Sequence, residues 1–365
     1  MTTVAIVGAG IGGVYLSAFL GVAGCKVRLH DIDAARLADV GARGGIEVEG
    51  PPDRFAAVDT VTTDLAAAVD AADIIIVATG GTYQEVVATS LAPLLRDGRI
   101  ILLVQGNTGG ALVVRRALDR AGCGARVDIA EMDNYPYSCW RRSPVRIAPI
   151  VSKRFLQIAS FPGNRIDAVF TRLQPLFPHA SAAPSIAYTG FTNANAMLHV
   201  ANCVANAGKI DRGEAYRFYA EGVTPLVANL YRAINTERVA VAAALGAEVP
   251  TLEAWFERTY GVRGASLSET CQLLTTNRDG PYQATGTPAS FGHKYISEDV
   301  PVGLVPMSAF GAAASVATPA IDALIEIVRC MTGKDYRAEG RTLRRMGLEG
   351  MNAAAIRHVL AEGFA

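Results

Sequence analysis

The sequence predicts a doubly wound α/β domain on a mainly parallel sheet, followed by an all-α C-terminal domain. Three observations predict it. A glycine-rich turn, Gly8-Ala9-Gly10-Ile11-Gly12-Gly13, joins a short β-rich run (residues 3–8) to a helical stretch from Val14 to Gly24. Two later apolar runs, 73–77 and 99–104, each lead into a glycine-bearing turn, as buried parallel strands do at their carboxyl ends. Beyond the proline-bounded segment Pro178–Pro184 that pattern stops and helical periodicity replaces it. The expected domains are therefore 1–180 and 181–365.

Composition fits this plan. The chain has 365 residues, half of them hydrophobic, which is ample for two cores. Lysine plus arginine and aspartate plus glutamate number 34 each, so nucleic acid is not expected as a bulk electrostatic partner. No apolar run approaches the roughly 20 residues of a membrane helix, and no secretory leader pattern opens the chain. The six cysteines lie far apart, with no CxxC and no neighbouring histidine pairs. They read as buried small residues in a reducing compartment, with neither a disulfide framework nor a metal site. A cytoplasmic location is expected.

In chain order, the first unit is the most informative. The turn is G-x-G-x-x-G between strand and helix, the fingerprint of a dinucleotide-binding Rossmann domain. Gly8 permits the tight turn, Gly10 lets the backbone approach a pyrophosphate, and Gly13 allows close helix-to-strand packing. The phosphates then meet the free N–H groups of the helix start. The second strand, residues 26–30, ends at Asp31, where an acid grips the adenosine ribose hydroxyls. A carboxylate there repels a 2′-phosphate and favours NADH over NADPH, although Arg36 follows soon after. His30 and Asp33 read as surface or capping residues. Thr79, Asn107 and Thr108 fall in the turns after the next two strands and are expected on the nicotinamide half or on substrate, with ordinary turn chemistry as the competing reading. Residues 126–131 look like another strand, the polar and aromatic stretch 132–140 like a pocket lining, and 145–150 and 155–159 like further strands of the same sheet. Residues 218–245 and 319–330 read as long amphipathic helices, 251–260 and the tail from 350 as shorter ones.

The helix at the start of the second half carries a distinctive face. Asn195, His199, Asn202 and Asn206 are spaced by four, three and four, which puts them on one side. Thr192 or Asn193 can cap this helix and Gly208 can end it. Its other residues are apolar, so the stripe is buried and needs partners; each unpaired group costs about 1–3 kcal/mol. Helix-to-helix hydrogen bonding meets that need, and so does a wet cleft in which His199 moves protons.

The stretches TNANAMLH (192–199), NAGKI (206–210), YAEGVTP (219–225), EDVPVGLVP (298–306), TPAIDALI (318–325) and GRTLRRMGL (340–348) resemble the opine dehydrogenases of the octopine/nopaline type, over nearly the whole chain. The resemblance implies a Rossmann domain plus a helical domain, and NAD(P)H-dependent condensation of an amino acid with an α-keto acid, often pyruvate, through an imine that is reduced to a secondary amine. It places the family's catalytic histidine on His199 and its acid partner on Asp299, with the histidine facing the nicotinamide across an interdomain cleft. Asn195, one turn before His199, is expected to hold substrate or the nicotinamide amide. Two positions depart from the family pattern: Val200 stands where proline often follows the histidine, and Lys294-Tyr295 where Arg-Tyr often precedes the acid pair. Lysine cannot form the planar fork to a carboxylate, which bears on how Lys294 anchors substrate. Two other readings stay open: a ketopantoate-reductase-like or hydroxy-acid dehydrogenase reducing a single carbonyl, and a non-catalytic NADH-binding sensor. The apolar helical half is compatible with a homodimer.

Overall fold

The computed structural model describes residues 1–276, 281–283 and 285–364, with the backbone alone for Trp140, Ile150, Val151 and Ser152. The chain divides into two compact units, residues 1–106 with 110–183, and residues 107–109 with 184–365.

The first unit is a doubly wound α/β fold. Its strands are β1 (Thr3–Val7), β2 (Lys26–His30), β3 (Gly45–Val48), β4 (Arg54–Ala57), β5 (Thr60–Thr62), β6 (Ile74–Val77), β7 (Ile100–Leu103), β8 (Asp128–Met132), β9 (Tyr137–Ser143), β10 (Arg146–Ser152), β11 (Leu156–Phe161) and β12 (Ala180–Ala182). Eight form one sheet in the order β12-β11-β8-β7-β6-β1-β2-β5. Every pairing in it is parallel except β11 with β8. β6 and β7 are buried along their whole length, which explains their unbroken Ile/Val/Leu composition. The chain leaves β1 towards β2 on one side and later returns to β6 on the other. Strand order therefore reverses at β1, and open α/β sheets bind ligands at the carboxyl edge of such a point.

One strand expectation changes. Residues 145–150 do not extend this sheet: β10 joins a separate four-stranded sheet in the order β4-β3-β10-β9. Arg146 holds that sheet through ion pairs to Glu47, Glu49 and Asp53.

The second unit is helical. The long helix Pro225–Ala244 packs on Asn195–Ala205 and on Pro319–Thr332. It starts seven residues later than the periodicity suggests, because Thr224 accepts the Val227 N–H as a cap and Pro225 occupies the first turn. The stripe-bearing helix likewise starts after a break. The helix Ile186–Thr192 ends first, and Asn193 Oδ1 then accepts the Asn195 N–H at 2.9 Å. Arg238, 1% exposed, ties this end of the unit together, donating to the carbonyls of Phe191 and Pro250 and to Asn235 Oδ1.

Candidate active site

Two sets of residues stand out, one in each unit. In the α/β unit a cavity of about 520 Å³ opens at the carboxyl ends of β1, β2 and β6, lined by Gly8, Gly10, Asp31, Arg36, Thr79 and Tyr83 among others. Gly8 has φ +109°, a conformation only glycine adopts without strain. A Cβ on Gly13 would lie 1.7 Å from the Gly8 carbonyl oxygen, so helix and strand meet here only through glycine. A Cβ on Gly10 would meet nothing nearer than the Arg36 guanidinium at 4.0 Å, which leaves its backbone open to a ligand. No side chain caps the helix Ile11–Val22, so its first N–H groups are available to an anion.

Asp31 is 7% exposed and is tied at both oxygens. Oδ2 accepts the Ala9 N–H at 2.7 Å and Oδ1 the Asp33 N–H at 2.9 Å. It thus braces the glycine turn as well as facing the cavity. Asp33 caps the next helix as expected. His30, expected at the surface, is buried, because β2 is covered on both faces; its Nδ1 and the Thr79 hydroxyl are buried without a partner, and both residues line the cavity. Orphaned polar atoms in a cavity floored by an uncapped helix start and glycine backbone fit a dinucleotide.

Thr108 is not brought to this cavity. Its N–H donates to the Val302 carbonyl at 3.2 Å, its hydroxyl to the Gly190 carbonyl at 3.3 Å, and its own carbonyl accepts from Arg341 at 3.0 Å. Asn107 joins Asn193 in the same way. Both residues are built into the helical unit. Of the aromatic stretch, Tyr135 lies against Gly12, Tyr137 stacks on Phe19, and the side chain of Trp140 lies outside the described residues.

In the helical unit, His199 Nδ1 lies 2.6 Å from Asp299 Oδ2, and the two side chains are 12% and 10% exposed. The segment that delivers Asp299 explains the contact. Asp299 leads into a π-helical turn, Val300–Leu304, containing Pro301 and Gly303. A Cβ on Gly303 would lie 2.4 Å from the Ala196 Cβ, so glycine lets this segment close on the His199 helix. π turns of this kind recur at functional sites. Tyr295 stacks on the imidazole at a centroid distance of 3.8 Å and 21°. Phe218 meets the imidazole edge-on at 6.2 Å, and Tyr219 is tilted at 6.5 Å.

Asn202 and Asn206 of the stripe build the wall rather than the site. Asn202 Nδ2 donates to the Phe218 carbonyl at 2.8 Å, and Asn206 Nδ2 to Asn202 Oδ1 at 2.7 Å and the Gly222 carbonyl at 3.1 Å. These amides fold residues 216–222 into the turn that carries Phe218 and Tyr219. Asn202→Leu is expected to cost about 1–3 kcal/mol, read as a lowered thermal midpoint, with turnover reduced through the displaced rings. Tyr282 stacks on Tyr219 at 4.3 Å. Phe218, Tyr219 and Tyr295 carry no spacing signal in the sequence. Lys294 is exposed at the start of the short helix Lys294–Ser297, and Asn195 is half-buried one turn from His199.

A Rossmann-like unit with a dinucleotide cavity, followed by a helical unit, is the build of the NAD(P)-dependent dehydrogenases. Similarity to known proteins narrows this class. The family model for the NAD/NADP octopine/nopaline dehydrogenase alpha-helical domain matches residues 182–332, and the one for ketopantoate reductase PanE/ApbA matches residues 4–126. An opine dehydrogenase of Arthrobacter sp. (strain 1C) is 33% identical over 97% of this chain and 98% of its own. Octopine dehydrogenase of Pecten maximus is 24% identical over 83% of this chain and 79% of its own. A solved octopine dehydrogenase with NADH and L-arginine superposes with a TM-score of 0.80 at 21% identity, covering 100% of this chain and 99% of that one. A yersinopine dehydrogenase bound to NADP+ gives 0.71 at 15%, covering 100% and 98%. The chain belongs to the opine dehydrogenase family. It is an NAD(P)-dependent oxidoreductase acting on CH–NH bonds.

Proposed function

We propose that this opine dehydrogenase joins the amine of an amino acid to an α-keto acid of the pyruvate class and reduces the imine with NADH, His199 being the general acid/base and Asp299 its partner. The observation that carries the reading is the 2.6 Å His199–Asp299 contact on a half-buried helix face. The solved octopine dehydrogenases with L-arginine, agmatine and pyruvate lend support to this substrate class.

Condensation requires one group to move protons at two atoms. Attack of the amine on the keto carbon gives a carbinolamine, whose hydroxyl must leave as water. His199 in its imidazolium form gives that oxygen a proton, while the nitrogen lone pair forms the C=N bond. Asp299 holds Nδ1–H and balances the charge, which directs Nε2 to the reacting atoms. The cofactor, when bound, supplies the hydride that reduces the C=N carbon. Burial, aided by Asp299, pushes the Tyr295 phenol up to about 12, so the ring against His199 stays uncharged and excludes water without competing for the proton.

Asp31 supports NADH over NADPH by repelling a 2′-phosphate. Gly8, Gly10 and Gly13 shape the turn for the pyrophosphate, and Thr79 offers its orphaned hydroxyl to the nicotinamide half. Asn195 holds substrate in this reading, and Lys294 meets a carboxylate as a point charge. The six free cysteines support a reducing, cytoplasmic setting.

The test is NADH oxidation with pyruvate and pooled amino acids, beside controls lacking either. Oxidation that needs both supports the condensation. Oxidation with pyruvate alone makes the protein a reductase of a single carbonyl. Binding of NADH with no turnover, whatever keto acid is offered, leaves only a sensor. Lys294→Ala is expected to raise KM for the keto acid on the order of tenfold, the worth of a charged hydrogen bond, and to leave KM for NADH alone. An unchanged keto-acid KM would remove Lys294 from the substrate site.

A further inference from the structure

His293 is a second imidazole beside the His199 site, and its surroundings fix what it can do. Its Nδ1 accepts the Tyr295 N–H at 3.4 Å, capping the short helix Lys294–Ser297. In the neutral ring that leaves the proton on Nε2. Burial first, then Lys294 and His199, pull His293 below the usual imidazole range, against an opposing pull from Asp299. The ring therefore stays neutral at neutral pH and offers one N–H. It also lies close to the chemistry. Tyr295 carries His199 stacked at 3.8 Å and meets His293 edge-on at 4.5 Å, so the two imidazoles flank one phenol.

An α-keto acid has its carboxylate bonded directly to the carbonyl carbon. If His199 acts at that carbon, the carboxylate lies within a few bonds of the imidazole. Asp299 is negative and repels it. Lys294, next to His293 in sequence, is an exposed ammonium, a point charge that satisfies one carboxylate oxygen well and does not hold the group's plane.

We propose that His293 donates its Nε2–H to the substrate carboxylate beside Lys294, so that two neighbouring side chains supply the two-point grip that a single guanidinium fork gives. The proposal rests on the assignment of His199 as the acid/base. It makes His293 a substrate-binding residue rather than a proton carrier, and its effect belongs to KM for the keto acid.

The obvious objection is that His293 is only a helix cap, and the choice of variants answers it. Serine and aspartate both cap helices well, but neither presents an N–H. Steady-state kinetics with pyruvate, an amino acid and NADH are measured for His293→Ser, His293→Asp and His293→Ser combined with Lys294→Arg. The expected result is a rise in pyruvate KM on the order of tenfold for His293→Ser. His293→Asp should be worse, because it adds a repelling charge. KM for NADH should not move. Adding Lys294→Arg should restore most of the loss, because the guanidinium carries both donors itself. A pyruvate KM that stays at the wild-type value in both cap variants overturns the proposal, and so does a penalty that Lys294→Arg fails to relieve. Should His293→Ser not fold, His293→Thr, another cap without an N–H, is read by the same KM and the same rescue. His199→Ala separates the two readings. If it keeps full turnover, the acid/base assignment fails; if it abolishes turnover while the His293 variants leave KM alone, only this inference fails.

Discussion

His199→Ala is expected to lower turnover by roughly 10²–10⁴-fold and to leave NADH binding near the wild-type value. The size follows from the absence of a substitute among its described neighbours, since His293, the other imidazole beside Tyr295, has its Nδ1 occupied by the Tyr295 N–H. Burial, with Asp299 adding to it, pushes the Tyr295 phenol and the Cys203 thiol both up to about 12. Each keeps its proton through the neutral range and cannot act as a base there. Phe218 and Tyr219 offer rings with no proton to exchange at that pH, Tyr219 being raised well above its ordinary value by burial. Asp299 remains, but without the imidazole it is a buried carboxylate with no route to both the oxygen and the nitrogen of the carbinolamine. The dinucleotide cavity is formed wholly by residues of the α/β unit, so NADH affinity, followed by fluorescence titration, should not change. His199→Gln is the companion variant: it fills the space against Tyr295 and keeps a hydrogen bond to Asp299, yet cannot carry a proton. Both variants should fall together. If His199→Gln retained turnover within tenfold of wild type, the helix stripe would be a packing device throughout and the acid/base would lie elsewhere.

That stripe shows how much was legible in advance. Spacing alone places Asn195, His199, Asn202 and Asn206 on one face, and buried polar groups there must find partners. Two kinds of partner occur on the same helix. Asn202 and Asn206 find backbone carbonyls at residues 218 and 222, while His199 finds a carboxylate a hundred residues on. Local pattern cannot divide them, because the division depends on which distant segment folds against each turn. The same limit explains the misplaced start of the long helix: residues 218–224 are apolar enough to read as helical, but two amides from another helix hold them as a turn. Thr108 illustrates it from the other side. A threonine in a glycine-bearing turn after a parallel strand has the chemistry of a cofactor contact, yet Val302, Gly190 and Arg341 take its three polar groups. β10 is a short apolar run between Arg146 and Ser152, and nothing in such a run says which sheet receives it. The glycine turn is different. Its requirements, a positive φ at residue 8 and no Cβ at residue 13, are met within a dozen residues, so sequence and structure agree there in detail.

Asp31 combines a local requirement with a chemical one, and its replacement should therefore separate the two cofactors. Asp31→Asn keeps an oxygen that can accept the Ala9 N–H and removes the charge. NADH should bind on the order of tenfold more weakly, since ribose hydroxyls donating to a carboxylate are lost to a neutral amide. NADPH should lose less or gain, because the repulsion of its 2′-phosphate is relieved. Arg36 lines the same cavity and makes an exposed ion pair to Asp33 at 3.4 Å, a contact of little net worth. Its guanidinium is free to turn towards a phosphate and grip it with two N–H groups. Asp31→Ala should behave differently. It leaves the Ala9 N–H, now bonded at 2.7 Å in a buried position, without an acceptor, which loosens the turn that both cofactors need. Both affinities should fall, with NADPH losing the advantage it gained in the asparagine variant. Titration of the two variants with each dinucleotide reads all four values. If Asp31→Asn leaves the ratio of NADH to NADPH affinity where it was, Asp31 braces the glycine turn and does nothing else, and cofactor choice must be sought at Arg36. If the ratio narrows in Asp31→Asn and both affinities collapse in Asp31→Ala, one carboxylate is holding the loop with its two backbone bonds and selecting the cofactor with its charge.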